Sequence, residues 1–476
     1  FEILDKTGAI QILAGQNSGD TGGTLYIGTA SYLGSRAGSA SGITSSTSNI
    51  TITSDRYNFN GTNPAIATSG SLTWNSAASS FGQDVATSWF LWNQNSQTLS
   101  GLTIGGAANT RTITFATSTG ISVNGPVNLN GPVAFTYGLT TTNTTTGDIT
   151  ITGSSVSGAG NIVLASGRNL TVDLNQSGTS TYSGSISGSS STLTKTGVGE
   201  WYLTGVNSFT GATTISNGYL EITDAGRLAG NITNNSALGF KPNSDYSYSG
   251  TISGTGYLGK YGTNALTLSG PNTYSGDTII AAGTLKLGNA TALGTAASGT
   301  SITSGAVLDL NGQTISNAEA LTINGTGITS GGAVINSSAT AASYAGLVTL
   351  GSASSIVGGA GTIALTNSGT ITGSGFGLTL GGGAGGSIDS IIGTGAGTLT
   401  KTGAGTWTLS GTNTYSGLTT ISAGVISVAS DANLGTNSSL TFGGGTLTIT
   451  GSSAFSSAKN ITLSGAGTIT NNGSGG

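Results

Sequence analysis

The chain has 476 residues, 84 of them glycine, with only 6% charged, a formal charge of −4 and no Cys, Met or His. That length exceeds one compact core. The missing Cys and His remove disulfides, zinc–thiolate sites and the usual general base, and thin negative charge without a basic run argues against nucleic acid or an anionic membrane surface as partner. Low complexity invites a disordered reading, but disorder favours high charge and few β-branched residues. Here polar and apolar residues alternate with period two in Asn49–Thr53, Thr112–Phe115, Asp148–Thr152 and Thr446–Thr450, as strands do.

Residues 1–110 are the least regular part, read as irregular N-terminal coils that form a cap or contact region. The opening Phe1–Asp5 has neither the basic start nor the apolar core of a signal peptide, and no apolar run reaches transmembrane length. Trp74, Trp89 and Trp92 lie here, the last two within the apolar run Ser88–Trp92. They read as a binding platform or assembly contact, or as core filling where a coil widens. The second is preferred, since large aromatics mainly fill interiors. From 111 to 476 the pattern is regular. Asn124-Gly-Pro-Val127 recurs as Asn130-Gly-Pro-Val133, and these residue types place chain corners rather than central strands there.

A unit then occurs three times, at 193–228, 258–294 and 399–435. Its copies align on Lys195, Lys260 and Lys401. Behind them follow Asn207, Asn272 and Asn413, then an aromatic two residues later (Phe209, Tyr274, Tyr415), then Gly211, Gly276 and Gly417. A last glycine stands at Gly218, Gly283 and Gly424. Apolar positions recur with them, including Leu203, Leu268 and Leu409, and Leu228, Leu293 and Leu434. A unit recurring at this scale means repeat architecture. Thr406–Ser410 alternates as a half-buried strand, and the glycines punctuate turns. Strict alternation puts Lys401 on the face of Leu399, so either the strand ends before the lysine or a bulge re-aims it. The spacing between copies is unequal, and the long stretch between the second and third keeps the strand rhythm in Ala306–Leu310, Leu321–Ile323, Thr362–Leu365 and Leu378–Leu380.

Short strands, glycine corners and no helical spacing predict an all-β parallel solenoid, each coil lying about 4.8 Å above the last. With roughly 20–25 residues per coil this gives about 20 coils and a rod near 100 Å. Asn207, Asn272 and Asn413 are expected to stack and hydrogen-bond along a ladder. A string of β-sandwich domains is the competing fold. The segments Leu193–Gly197 and Leu399–Gly417 resemble the autotransporter-associated β-strand repeat, and the wider chain is similar to filamentous-haemagglutinin-like adhesins. The resemblance implies a right-handed parallel β-helix, passage across an outer membrane to the bacterial cell surface, and a stalk or adhesive role. The chain shows no translocator barrel and ends at Asn471–Gly476 within the repeat rhythm, as a processed or ordered fragment of a longer protein would.

Enzymatic function is tested against the best carboxylate pair. Glycoside hydrolysis needs two carboxylates at a defined separation. Glu200 and Glu221, with Asp224 near the latter, are the pair that adjacent coils would offer, and the equivalent positions in the other copies hold Ala265 and Lys286, or Thr406 and Ser427. Two solvated surface charges are the preferred reading, and no catalytic residue is assigned. The run Gly382–Asp389 is a glycine-rich turn, since its Asp falls late for a calcium-binding repeat and the motif is not iterated. No cofactor or metal is expected. The first reading is a non-catalytic extracellular stalk or adhesin segment with a surface glycan or protein as ligand. The second is a subunit that self-associates into a fibre, because a solenoid's open ends carry unpaired strand groups. A polysaccharide-degrading β-helix enzyme comes third.

Overall fold

The computed structural model describes residues 98–474 except 119, 224 and 225. Before them it describes 49–53, 69–76 and 79–87, and the backbone of the short strands Leu25–Ile27, Leu33–Ser35, Gly42–Thr44, Tyr57–Phe59 and Ala65–Ala67. The chain divides into two units, Phe1–Leu238 and Gly239–Gly476.

The first unit is a parallel β-solenoid with three sheet faces. One face stacks Gly101–Ile104, Val127–Asn130, Ile149–Gly153, Asn169–Leu174, Thr192–Thr196, Thr213–Ile215 and Ile232–Asn234, every neighbour parallel. A second stacks Ile113–Phe115, Val133–Phe135, Val156–Gly158, Thr179–Tyr182, Glu200–Leu203 and Tyr219–Thr223. The third holds Ile121–Val123, Leu139–Thr141, Ile162–Val163 and Ile186–Ser187. Register partners on the first face step from Val127 through Ile149, Leu170, Leu193 and Thr213 to Ile232, so one coil takes 19 to 23 residues. A parallel pair ordinarily needs a helical crossover; here the other faces of the same coil are the crossover. Pro126 and Pro132 each stand one residue ahead of a strand, where the missing N–H breaks no ladder bond.

The second unit is built the same way. Leu378, Leu399, Thr419, Leu440 and Ile461 are successive register partners on one face, and Ile363–Leu365, Gly385–Ile388, Thr406–Leu409, Val425–Val428, Thr446–Ile449 and Thr468–Asn471 stack on another. The step from Leu321 to Val348 is longer because the coil carries an insertion with a 3-10 turn at Ile328–Ser330. Parallel one-coil stepping rules out the β-sandwich alternative, whose sheets are antiparallel.

Alternation sets the core. In Ile149–Gly153 every second residue is buried, and the register stacks Val127, Ile149 and Leu170, and beside them Leu129, Ile151 and Val172, on the interior of one face. Burying each such side chain contributes about 1.5–3 kcal/mol before entropy is counted. Aromatics form a second column: Phe115 stacks on Phe135 at 4.8 Å, Phe135 meets Tyr182 edge-on at 6.0 Å, and Tyr182 lies 6.1 Å from Trp201. Among the described residues no helix is long and apolar enough to cross a membrane.

Candidate functional site

The repeat's marker residues point inward. Lys195, Lys260 and Lys401 are each 0% exposed. Lys401 is the last residue of the strand Leu399–Lys401 and pairs in register with Ile421, so neither the early strand end nor the bulge expected for it occurs. Its ammonium crosses to the turn of the next coil instead. Lys401 Nζ donates to the carbonyls of Thr402 at 2.6 Å, Gly403 at 2.7 Å and, one coil on, Ala423 at 3.2 Å. Lys260 Nζ does the same to Tyr261, Gly262 and Ala282 at 2.8, 2.9 and 2.9 Å. Lys195 Nζ donates to Thr196, Gly197 and Asn217 at 2.5, 2.9 and 3.3 Å.

Three carbonyls thus occupy the three protons of each ammonium. Burial pushes each lysine down to about 8, with the charge of Asp173 acting against this for Lys195 and that of Asp245 for Lys260. The last glycine of the unit completes the contact. Gly218, Gly283 and Gly424 have φ of 71°, 67° and 64°. A Cβ on Gly218 or Gly424 would stand 2.9 or 2.6 Å from the lysine nitrogen. Glycine is required there twice over, by conformation and by space.

The asparagines also join coils, but not as an asparagine stack. Asn272 Oδ1 accepts from Ile252 N of the preceding coil at 2.8 Å, and its Nδ2 donates to Ala292 O of the following coil at 2.7 Å. Asn207 links Ile186 N and Gly226 O at 3.1 and 3.3 Å, and Asn413 links Ile392 N and the Asn433 carbonyl. Each carboxamide therefore continues the inter-coil bonding at a corner where the backbone turns away. The copies do not sit on successive coils, so their side chains never meet.

The aromatic two residues later is buried in all three copies. Tyr274 OH and Thr278 Oγ1 lie 2.6 Å apart, and Tyr415 OH and Thr419 Oγ1 2.7 Å. In the first copy the aromatic is Phe209, and the buried Thr213 Oγ1 has no partner. Phe209→Tyr is expected to supply that bond and raise stability by about 1 kcal/mol. Amide protection at Ile215 measures it, and a loss of protection would show that the ring cannot take the added oxygen.

The repeat register left out two inward sets that the copies share by position. Trp201 and Trp407, six residues after their lysines, are fully buried, with indole N–H groups donating to Val156 O and Gly381 O at 3.2 and 2.9 Å. Leu266 fills that place in the second copy. The threonines at 213, 278 and 419 are the other set; the common offset from the lysine was the available signal in both cases. Glu319 stands one residue ahead of the strand Ala320–Gly325, in phase with the inward Leu321 and Ile323, so that parity was the available signal. It is 2% exposed, accepts a 2.6 Å bond from Thr300 Oγ1 at one oxygen, and has no partner at Oε2.

Outside the repeat positions, Glu200 and Glu221 do lie on neighbouring coils of one face. The register sets Glu200 against Tyr219 and Tyr202 against Glu221, placing the carboxylates on a diagonal. Tyr202 OH donates to Glu200 at 2.8 Å, Tyr219 OH donates to Glu221 at 2.9 Å, and the two rings meet edge to face at 6.0 Å. Each carboxylate is thereby engaged by the tyrosine two places away on its own strand. Asp224 lies outside the described residues. Asp389 follows the strand Gly385–Ile388 and is exposed. Among the described residues no three His, Cys, Asp or Glu side chains gather closely enough to hold a metal ion. Trp74 is buried, edge-on to Phe81 at 5.6 Å. Trp89 and Trp92 lie outside the described residues.

The three stapled segments coincide with a known family. Residues 193–222, 258–287 and 399–428 each match the passenger-associated-transport-repeat. Three segments of the chain are thus similar to this repeat. Over 65 residues it is also 45% identical to the adhesin BmaC autotransporter of Brucella suis biovar 1 (strain 1330), a match that covers 14% of this chain and 2% of that protein. The relative is thus many times longer than the stretch it shares. No solved structure matches the chain. Within the three matching segments, the lysine and the asparagine tie one coil to the next, and the last glycine leaves room for the lysine.

Proposed function

We propose that this chain is a non-catalytic segment of a surface-exposed passenger, a rigid stalk or adhesin region held outside a bacterial cell. One observation carries the reading. The lysines and asparagines that define the repeat bond to backbone of neighbouring coils, and its aromatics are buried, so the shared positions of the three copies serve the stack itself. A residue set used in that way builds a stack. The adhesin relative supports the extracellular setting.

Purified chain incubated with neutral and acidic polysaccharides is expected to leave their length unchanged. Shortening that disappears in Glu200→Gln would replace the stalk by a β-helix enzyme using the Glu200–Glu221 diagonal. The fibre subunit is the second reading, because the end strands of a stack carry unpaired backbone groups that can take up a further chain. Electron microscopy over a concentration series separates the two readings, since end-to-end filaments would put the fibre first and separate particles at every concentration would keep the stalk.

A further inference from the structure

The turn over Lys195 carries Asn217 where both of its counterparts carry alanine. The carbonyl that accepts from the lysine one coil on belongs to Ala282 and Ala423 in the second and third copies and to Asn217 in the first. Asn217 is followed by Gly218, and it is exposed. Its side-chain Oδ1 accepts from Gly218 N at 2.8 Å. This bond places the Gly218 nitrogen beside the carboxamide of the preceding side chain, the group that it must attack once it has lost its proton.

Asn-Gly steps are not rare here, which allows a comparison within one molecule. Besides Asn217, described steps begin at Asn124, Asn130, Asn311, Asn324 and Asn472, and the step at Asn60 lies outside the described residues. Asn130, Asn311 and Asn324 each donate through Nδ2 to a carbonyl of another coil, Gly105, Leu287 and Ile302, at 3.0, 2.9 and 2.9 Å. Asn124 Oδ1 accepts from Thr142 of the next coil at 3.3 Å. At the last step, Gly473 N donates to Asn471 and not to Asn472. In this set the contact between a carboxamide and the nitrogen of its own next residue occurs at Asn217.

The lysine adds the second component. A Cβ on Gly218 would stand 2.9 Å from Lys195 Nζ. A buried ammonium beside Gly218 stabilises negative charge on that residue's amide nitrogen and on the oxyanion formed when it attacks.

We propose that Asn217–Gly218 is a self-modification site, where cyclisation turns a neutral turn into an acidic one above the Lys195 ammonium. Gly218 N loses its proton and attacks Asn217 Cγ. The new N–Cγ bond forms, the Cγ–Nδ2 bond breaks, and Nδ2 leaves as ammonia with the transferred proton. Water then opens the succinimide. Cleavage of the new bond yields aspartate, and cleavage at the main-chain carbonyl yields the isoaspartyl linkage. Nothing is oxidised or reduced, and water is the one co-reactant. Either product sets a carboxylate beside a cation that has only carbonyl partners in the other copies.

The test ages the full chain at neutral pH, native and in urea, with peptide mass mapping of every Asn-Gly step and enzymatic detection of isoaspartate. In the native chain Asn217 is expected to gain acid several-fold faster than Asn124 or Asn472, and in urea this advantage is expected to vanish. Lys195→Met is expected to slow the native reaction at Asn217 alone. If that variant unfolds, the native-against-urea comparison still decides the matter. Native rates at Asn217 equal to or below those at the other steps would overturn the proposal.

Discussion

Lys401→Met is expected to lower the stability of its coils by about 2–4 kcal/mol, although methionine matches lysine in length and is the more apolar. The carbonyls of Thr402, Gly403 and Ala423 now share one ammonium. Without it they face a thioether that donates nothing, and a buried acceptor left unpaired costs about 1–3 kcal/mol. Removing the desolvated charge offsets part of that loss. Lys401→Arg is expected to fail as well, because a planar guanidinium fork cannot point at three carbonyls gathered round a single nitrogen. A stacked array opens locally, so native-state hydrogen exchange is the proper measurement. Protection should fall at Ser422 and Val425, whose amides bond to Lys401 O and Gly405 O at 2.9 and 3.2 Å. Unchanged protection at both would mean that the lysine is a passenger in the core and not its staple.

Glu319→Gln is expected to stabilise the second unit above neutral pH by up to about 3 kcal/mol and to flatten its pH response. Burial pushes the Glu319 carboxyl up to about 7, the Thr300 hydrogen bond acts against this, and the charge of Asp277 adds to it. Tyr274 and Tyr344 lie close enough to feel its charge, and Tyr344 OH donates to the Glu319 carbonyl at 2.9 Å. Raised in the folded state above its ordinary 4.5, this carboxyl keeps its proton in the native form while the unfolded chain has lost it. Its contribution is therefore complete below about 4.5 and is lost as pH rises through about 7. Exchange protection of the coil that carries Glu319 should fall from pH 5 to pH 8 in the native chain and stay level in the glutamine variant. A native protection profile that rises over that interval would contradict the assignment.

Most of the fold was legible because strand alternation and glycine corners are short-range signals. Thr406–Leu409 and Asp148–Thr152 declare their inward residues by period alone. The repeat register found the lysines, asparagines and glycines as a set, but not what they do. The side of Lys401 was legible and was set aside, since a charge on the core face ordinarily argues against the strand. Only the neighbouring turn, with three carbonyls aimed at one point, makes that placement stable. Asn413 shows the same limit: its partners, Ile392 N and the Asn433 carbonyl, lie one coil to either side, at separations that a single copy of the unit does not reveal. Glu319 shares the parity of the inward Leu321 and Ile323, but a lone carboxylate just ahead of a strand reads as a solvated charge until the packing around it is seen.

Spin labels give the most direct test of the stack itself, and the cysteine-free chain offers a clean background. Asn128, Thr150, Thr171, Thr194, Thr214 and Thr233 form one outward file of register partners on six successive coils. With one label fixed at Thr233 and the second moved in turn through Thr171, Thr150 and Asn128, the distance is expected to climb by about 4.8 Å at each step, from about 14 Å to about 24 Å. Distances that fail to rise in that order, or that alternate as in antiparallel hairpins, would contradict the parallel solenoid on which the stalk reading rests.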